Sequence, residues 1–126
     1  MSNRQRRRVV AKTANYTINP NADDAGTLFT NAGATGAVTF VLPAPSLRTL
    51  GDWYEFLGVA DQTITVGVPT ADTAIALNDT AADSLALSTG GQKIAGLVRA
   101  ICVKGATDYQ WALVTLANGA TGTVAT

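Results

Sequence analysis

Apolar and polar residues alternate along most of this chain. The segment QTITVGVP, residues 62–69, is the clearest case, because Ile64, Val66 and Val68 are separated by Thr63, Thr65 and Gly67. A period of two is that of a β-strand, whose side chains point to opposite faces in turn. The pattern predicts about eight or nine strands, spaced about ten residues apart. The other candidate segments are ANYTI, GTLFT, AVTFVLP, DWYEFLGV, TAIAL, SLALS, KIAGLVRAICVKG and DYQWALVTL.

Turn-forming residues separate these segments, and helix signals are weak. Pro43, Asn78-Asp79 and Gly90-Gly91 are typical of turns. The stretch 74–87 is rich in Ala, but Asn, Asp, Ser and Thr interrupt any apolar stripe along a helix. We therefore predict an all-β fold, either a single small sandwich or a jelly-roll-like barrel.

Five aromatic residues lie on two of the predicted strands. Side chains of this kind can form a stacking platform for sugars or bases when they are exposed. Because these strands are otherwise apolar, we favour packing in the core. Cys102, the one cysteine, lies between Ile101 and Val103 and is predicted to be a buried thiol. The aromatic residues are Trp53, Tyr54, Phe56, Tyr109 and Trp111.

The charges are distributed unevenly. Nine Lys and Arg residues balance nine Asp and Glu residues, but five of the cations lie in residues 1–12. All nine acids lie between Asp23 and Asp108, so the rest of the chain has four cations and a net charge of −5. We predict an extended basic N-terminal arm at residues 1–13 and a β-rich domain at residues 14–126.

Such an arm can be a solubilising tail, an anchor for an acidic protein surface, or a contact to nucleic acid or an anionic membrane. An acidic body next to the arm would repel a duplex, which argues against nucleic acid. The arm has no amphipathic apolar face, which argues against a membrane. No apolar run reaches the length of about 20 residues that crosses a bilayer, and no signal peptide is recognised. We therefore expect assembly in the cytoplasm.

The residue types give little support to catalysis, and we predict neither an enzyme nor a metal or cofactor site. Histidine is absent and there is one cysteine, which removes the commonest general base and the usual zinc ligands. Asp23 and Asp24 could bind Ca²⁺ in their Asn-rich loop, but their spacing fits a solvated turn better. Asp52 and Glu55 lie three residues apart on a predicted strand, so they face opposite ways.

Charged residues make up 14% of the chain, against about 25% in typical domains. A small body with so few charges has difficulty covering its whole surface with polar groups. The usual solution is to bury one face in an oligomer. The composition therefore predicts self-association.

The stretch GTLFTNAGATGAVTFVLPAPSLRTLGDWYEFLGVADQTITVGV, residues 26–68, resembles a segment of many tailed-bacteriophage structural proteins. In those proteins a strand ends in a "TN-x-GA-TG" turn, the next strand closes in "LP", and an aromatic strand leads to "DQ-T-TV". Ile75, the Gly90-Gly91 turn and Trp111 continue the similarity. Domains of this kind occur in capsid decoration (cement) proteins, head fibres and tail-fibre modules, generally as β-rich homotrimers.

The resemblance implies a non-enzymatic capsid decoration protein that binds the outer surface of the phage head as an oligomer, a homotrimer by analogy, and stabilises it. Its partners would be itself and the major capsid protein, and its location the exterior of the virion. The alternative is a head-fibre or tail-fibre module that recognises a host or a carbohydrate. We expect the arm to pair with acidic residues of the capsid, since guanidinium binds carboxylates in a planar fork. The predicted anchoring residues are Arg4, Arg6, Arg7, Arg8, Val9, Val10 and Lys12.

Overall fold

The computed structural model describes residues 6–91, 93–115 and 123–125. Within these ranges it has twelve β-strands and no helix, so none of the described residues belongs to a helix that could cross a membrane. The strands are β1 Val9–Ala11, β2 Tyr16–Thr17, β3 Leu28–Thr30, β4 Val38–Val41, β5 Trp53–Leu57, β6 Ile64–Gly67, β7 Ala74–Ala76, β8 Asp79–Ala82, β9 Ser84–Leu87, β10 Leu97–Lys104, β11 Tyr109–Thr115 and β12 Thr123–Ala125.

The strands form two mixed sheets. The larger has seven strands in the order β1-β3-β5-β10-β11-β7-β8, and the smaller has five in the order β12-β9-β6-β4-β2. In the larger sheet β10 pairs antiparallel with β5 and β11, while β1, β3 and β5 run parallel to one another. The prediction of an all-β domain is confirmed, and the two sheets enclose a core in a sandwich-like arrangement.

The alternation in the sequence decides which side chains enter this core. In β4 the side chains of Val38 and Phe40 are buried and that of Thr39 is half-buried. In β10 every second residue from Val98 to Cys102 is buried, as the pattern predicts. The predicted burial of the Cys102 thiol is therefore confirmed.

Aromatic side chains join the two sheets at the centre of the core. Phe40 of the smaller sheet lies 5.0 Å from Phe56 of the larger sheet, measured between ring centroids. Trp111 of β11 packs against Tyr54 at 6.1 Å. Its Nε1–H also donates a 2.7 Å hydrogen bond to the carbonyl of Pro43, which follows β4. Burial of the Tyr54 hydroxyl raises its pKa to about 12, so this phenol stays protonated and donates to the carbonyl of Asp23.

Three strands were not predicted from the sequence: β1, β8 and β12. In addition, β7 is oriented with Ala74 and Ala76 towards the core. Ile75 and Leu77 share a face, as the alternation indicates, but this face points outwards. Small residues fill the core here because β9 of the smaller sheet lies close to β7.

Candidate interaction surface

The outward side of the seven-stranded sheet, which we call the apolar outer face, is the most distinctive surface of the molecule. One row across it runs from Leu28 through Glu55 and Arg99 to Val114, each residue being the register partner of the next. Cross-strand partners lie on the same side of a sheet. The apolar members of this face are Val9, Ala11, Leu28, Trp53, Leu57, Ile75, Leu77, Leu97, Ile101, Val103, Ala112 and Val114.

Glu55 lies in this face between two arginines. The Nη1–H of Arg7 donates to its Oε1 atom, while Nε–H and Nη2–H of Arg99 donate to Oε2 at 2.8 and 2.7 Å. Only 4% of the Glu55 surface is exposed, whereas the side chains of Arg7 and Arg99 are 36% and 40% exposed. The carboxylate is thus buried beneath two guanidinium groups that remain in contact with solvent, and the cluster has a net charge of +1.

The charge on Glu55 is stabilised by these partners. Burial raises the pKa of the Glu55 carboxyl, but the hydrogen bonds and charges of Arg7 and Arg99 together outweigh it and bring the pKa below its ordinary value. Glu55 is therefore ionised at neutral pH, and the cluster is a permanent ionic group within an apolar face.

Trp53 completes the cluster. The guanidinium carbons of Arg7 and Arg99 lie 5.1 and 5.5 Å from the centroid of its ring, within the range of a cation–π contact. The ring rests on Gly26, where an added Cβ atom would come within 3.2 Å of it. Trp53 is therefore half-buried on the outer face, and our prediction that it packs in the core is wrong. Tyr109, which is also half-buried, lies under Lys104.

Most of the predicted anchoring residues contact the body of this chain. Val9–Ala11 form β1, an edge strand parallel to β3, so the sheet begins within the segment that charge alone marked as an arm. The side chain of Val10 packs against the core, and Val9 is exposed. Lys12 Nζ lies 3.9 Å from the centroid of the Tyr16 ring.

Arg8 and Asp23 hold the chain just before β1. The Nη1–H group of Arg8 donates to the carbonyl of Ala22 at 3.1 Å and lies 3.8 Å from Asp23 Oδ1. Asp23 is buried, and its Oδ2 accepts hydrogen bonds from the Tyr16 hydroxyl and from the Asn19 amide. The hydrogen bond to Asp23 raises the pKa of Tyr16. The prediction of a solvated turn at Asp23 is therefore wrong.

Arg6 and Arg4 are the two remaining predicted anchors. Arg6 is exposed and lies beside Arg8 and Gly26. Arg4 lies outside the described residues. These two cations precede the part of the chain that is fixed by β1.

The smaller sheet has a different outward side, which we call the threonine face. One row across four of its strands consists of Thr39, Thr65, Ala86 and Thr123. A second row contains Val41, Gly67, Ser84 and Ala125. Short side chains and hydroxyl groups therefore make this face flat and compatible with water.

Sequence reasoning missed the Arg7–Glu55–Arg99 cluster. The available signal was that Glu55 and Arg99 each lie in a segment with alternating residues, which places charged side chains on predicted strands. Their contact depends on the pairing of β5 with β10, and that of Arg7 depends on β1 joining β3.

Comparisons with protein-family models, with curated proteins and with solved structures give no match. What the surface does must therefore be argued from its geometry. The apolar outer face can bind a protein surface by excluding water, and its ionic cluster offers guanidinium N–H donors and one shielded carboxylate.

Proposed function

We propose that this protein is a non-enzymatic structural subunit of a bacteriophage virion, a decoration protein that binds the outside of the head as a homo-oligomer. The virion setting is supported by the resemblance of residues 26–68 to phage structural proteins. The observation that carries the proposal is the position of the basic segment. β1 fixes it to one edge of the larger sheet, and the exposed Arg6 lies just before this strand, beside Arg8 and Gly26.

The contacts of this segment divide its cations into two groups. Arg7, Arg8 and Lys12 hold the segment against the domain through Glu55, Ala22 and Tyr16. Arg4 and Arg6 are the cations that serve as the capsid anchor in this proposal. Each exposed ion pair contributes about 0–1 kcal/mol, so the anchor gains strength from several copies acting at once in an oligomer.

The outer edge of β1, which no other described strand pairs with, supplies a second contact to the capsid. The carbonyl of Arg8 accepts from the amide of Leu28, and the amide of Lys12 donates to the carbonyl of Thr30. Since alternate residues of a strand direct their backbone groups to opposite sides, those of Val9 and Ala11 point away from β3. A strand of the capsid protein can pair with this edge.

Co-sedimentation with purified heads tests the proposal. The double variant Arg4→Ser/Arg6→Ser is expected to bind heads about ten-fold more weakly, with a smaller dependence on salt concentration. The matched control is Arg48→Ser/Lys104→Ser, which removes the same charge from exposed positions elsewhere and is expected to bind like the wild type. Equal binding by the two double variants would contradict the anchor.

A groove of about 680 Å³ between the β2–β3 and β4–β5 connections favours the host-recognition module as a second candidate. Its lining is rich in amide, hydroxyl and charged side chains, including Asn19, Asn21, Ser46, Arg48 and Asp52. Such groups suit the hydroxyls of a carbohydrate. A protein that binds host cells or purified glycans but does not co-sediment with heads would support this second function over the first.

A further inference from the structure

The turn between β7 and β8 places a leucine where the backbone disfavours one. Ala76 pairs with Asp79, so Leu77 and Asn78 are the two residues of a tight hairpin turn. Their φ angles are +45° and +71°, as in a type I′ turn, which favours Asn or Gly at both positions. Asn78 fits this preference, whereas Leu77 is a branched side chain in the left-handed region and is strained there.

Burial against the described residues does not compensate for this strain. Leu77 is 51% exposed and Val114, on the neighbouring β11, is 42% exposed. Together with Ile75 and Ala112 they line an open, largely apolar groove of about 310 Å³. A turn that used Asn or Gly at position 77 would fold more easily and expose less apolar surface. The leucine is therefore better explained by a contact outside the described chain.

The groove continues into the rest of the apolar outer face. Six spacings between the seven strands make this face about 29 Å wide. Its longest strand, β10, has eight residues, which corresponds to about 27 Å. Four of the seven strands have only three or four residues, so the face is smaller than a rectangle of these sides. It can contribute part of the ~800 Å² that each partner buries in a stable interface.

The charges of the face indicate what can cover it. Its ionic cluster contains both signs side by side, because Glu55 and Arg99 are adjacent across β5 and β10. The net charge of +1 is too small to recruit nucleic acid or an anionic membrane by electrostatics alone. A second copy brings an apolar face of the same size and shape, and a two-fold arrangement of two copies covers the same residues on both. Glu55 takes no part in this contact, because it is already buried beneath Arg7 and Arg99.

We propose that a second copy of this chain covers the apolar outer face, and that Leu77 and Val114 form part of the contact. Two such sheets pack face to face at about 10 Å with interdigitating side chains. The same face can serve a dimer or a ring of three copies around a common axis. This inference gives the self-association in the proposed function a location, and it can be tested without any capsid.

Sedimentation equilibrium of the full chain over micromolar to millimolar concentrations tests the inference. Wild type is expected to have a mass of at least two chains of 12.9 kDa each. The variant Val114→Glu is expected to raise the dissociation constant about ten-fold or more. Glu at position 114 lies directly across from Arg99, so the variant can form an ion pair and should keep its fold. The matched control is Thr65→Glu on the threonine face, for which an unchanged dissociation constant is expected.

Leu77→Asn provides a second variant with effects of opposite sign. Because Asn suits a positive φ angle, the thermal midpoint of the dilute, dissociated protein should rise, while association weakens about ten-fold or more. A folding defect cannot produce this combination. Association that Leu77→Asn and Val114→Glu leave unchanged would overturn the inference, as would a wild type that is monomeric at every concentration.

Head binding distinguishes this inference from the proposed function. A monomeric wild type whose head binding is lost in Val114→Glu would show that the face meets the capsid protein, which overturns the second copy as its occupant. An oligomeric wild type that Val114→Glu dissociates would support the inference even if no binding to heads were found. The anchor formed by Arg4 and Arg6 would then be the part that failed.

Discussion

The two outward sides of this sandwich are built from the same alternating pattern but have opposite characters. The apolar outer face of the larger sheet presents residues such as Ile75, Ile101 and Val114, with one ionic cluster among them. The threonine face of the smaller sheet presents residues such as Thr39 and Thr65. Both types of residue favour β-strands, so strand formation does not require the difference. The difference lies in what each face can contact.

The comparison shows that the residue types at outward positions are not fixed by the need to form a strand or to fill the core. Threonine places a methyl group on the sheet and a hydroxyl in the water, so the threonine face needs no cover. Isoleucine and valine at the equivalent positions expose only hydrocarbon, and about 25 cal/mol is gained for each Å² removed from water. Covering the apolar outer face would therefore add stability, whereas covering the threonine face would add little.

Removing a side chain that contacts both sheets should lower the free energy of unfolding more than any of the other substitutions. Trp111 is fully buried and donates a hydrogen bond from the larger sheet to Pro43 after β4. We expect Trp111→Ala to lower the free energy of unfolding by about 3–5 kcal/mol, measured by urea denaturation. Tyr109→Ala, two residues away on the same strand and half-buried, should cost about 1 kcal/mol. Similar losses in the two variants would mean that the core does not lie between the sheets as described.

Neutralising the buried carboxylate of Glu55 should lower the free energy of unfolding by an intermediate amount, because the contacts that are lost all lie in the larger sheet. Glu55→Gln leaves Arg7 and Arg99 without their shared anion. Because both guanidinium groups retain access to water, we expect a loss of about 2 kcal/mol, below the range for a fully buried pair. The exposed control Asp61→Asn should change the free energy of unfolding by less than about 0.5 kcal/mol.

The pH dependence of this difference supplies the check. The folded-state pKa of Glu55 lies below the ordinary value of 4.5, so its stabilisation is fully present above pH 4.5. It is lost as the pH falls through the folded-state pKa. The difference in the free energy of unfolding between wild type and Glu55→Gln should therefore become smaller at acidic pH. A gap that stays constant with pH would show that the ionised form of Glu55 is not what stabilises the fold.

Exchanging one residue type between the two outward sides should have the smallest effect on folding. We expect Ile101→Thr and Thr65→Ile each to change the free energy of unfolding of the dissociated chain by about 1 kcal/mol or less. Their effects on sedimentation should differ, since only Ile101→Thr removes hydrocarbon from the apolar outer face. Equal effects of the two variants on association would remove the distinction between the faces.

The sequence predicted the core better than it predicted the surfaces. A period of two put Ile64 and Val66 on one face of a strand, and the apolar neighbours of Cys102 predicted that its thiol is buried; all three residues lie inside the sandwich. The period could not reveal whether a small residue or a large one faces inwards in β7, where Ala74 is buried and Ile75 is not. That choice depends on how much room β9 of the smaller sheet leaves next to β7.

The basic segment illustrates the same limit. Its charges suggested an arm, and only the pairing of β1 with β3 placed Val10 against the core and Arg7 on Glu55. Arg7 and Glu55 are separated by 48 residues. A contact over that distance in the chain depends on strand order, which local composition does not specify.

The sequence by itself therefore determined that this chain forms strands and which side of most strands is apolar, because both properties arise from neighbouring residues. It also determined the separation of a basic start from an acidic remainder. Only the tertiary structure decided which strands pair and which outward residues share a face. These depend on contacts between residues far apart in the chain, and through them scattered apolar positions became one surface around a buried carboxylate.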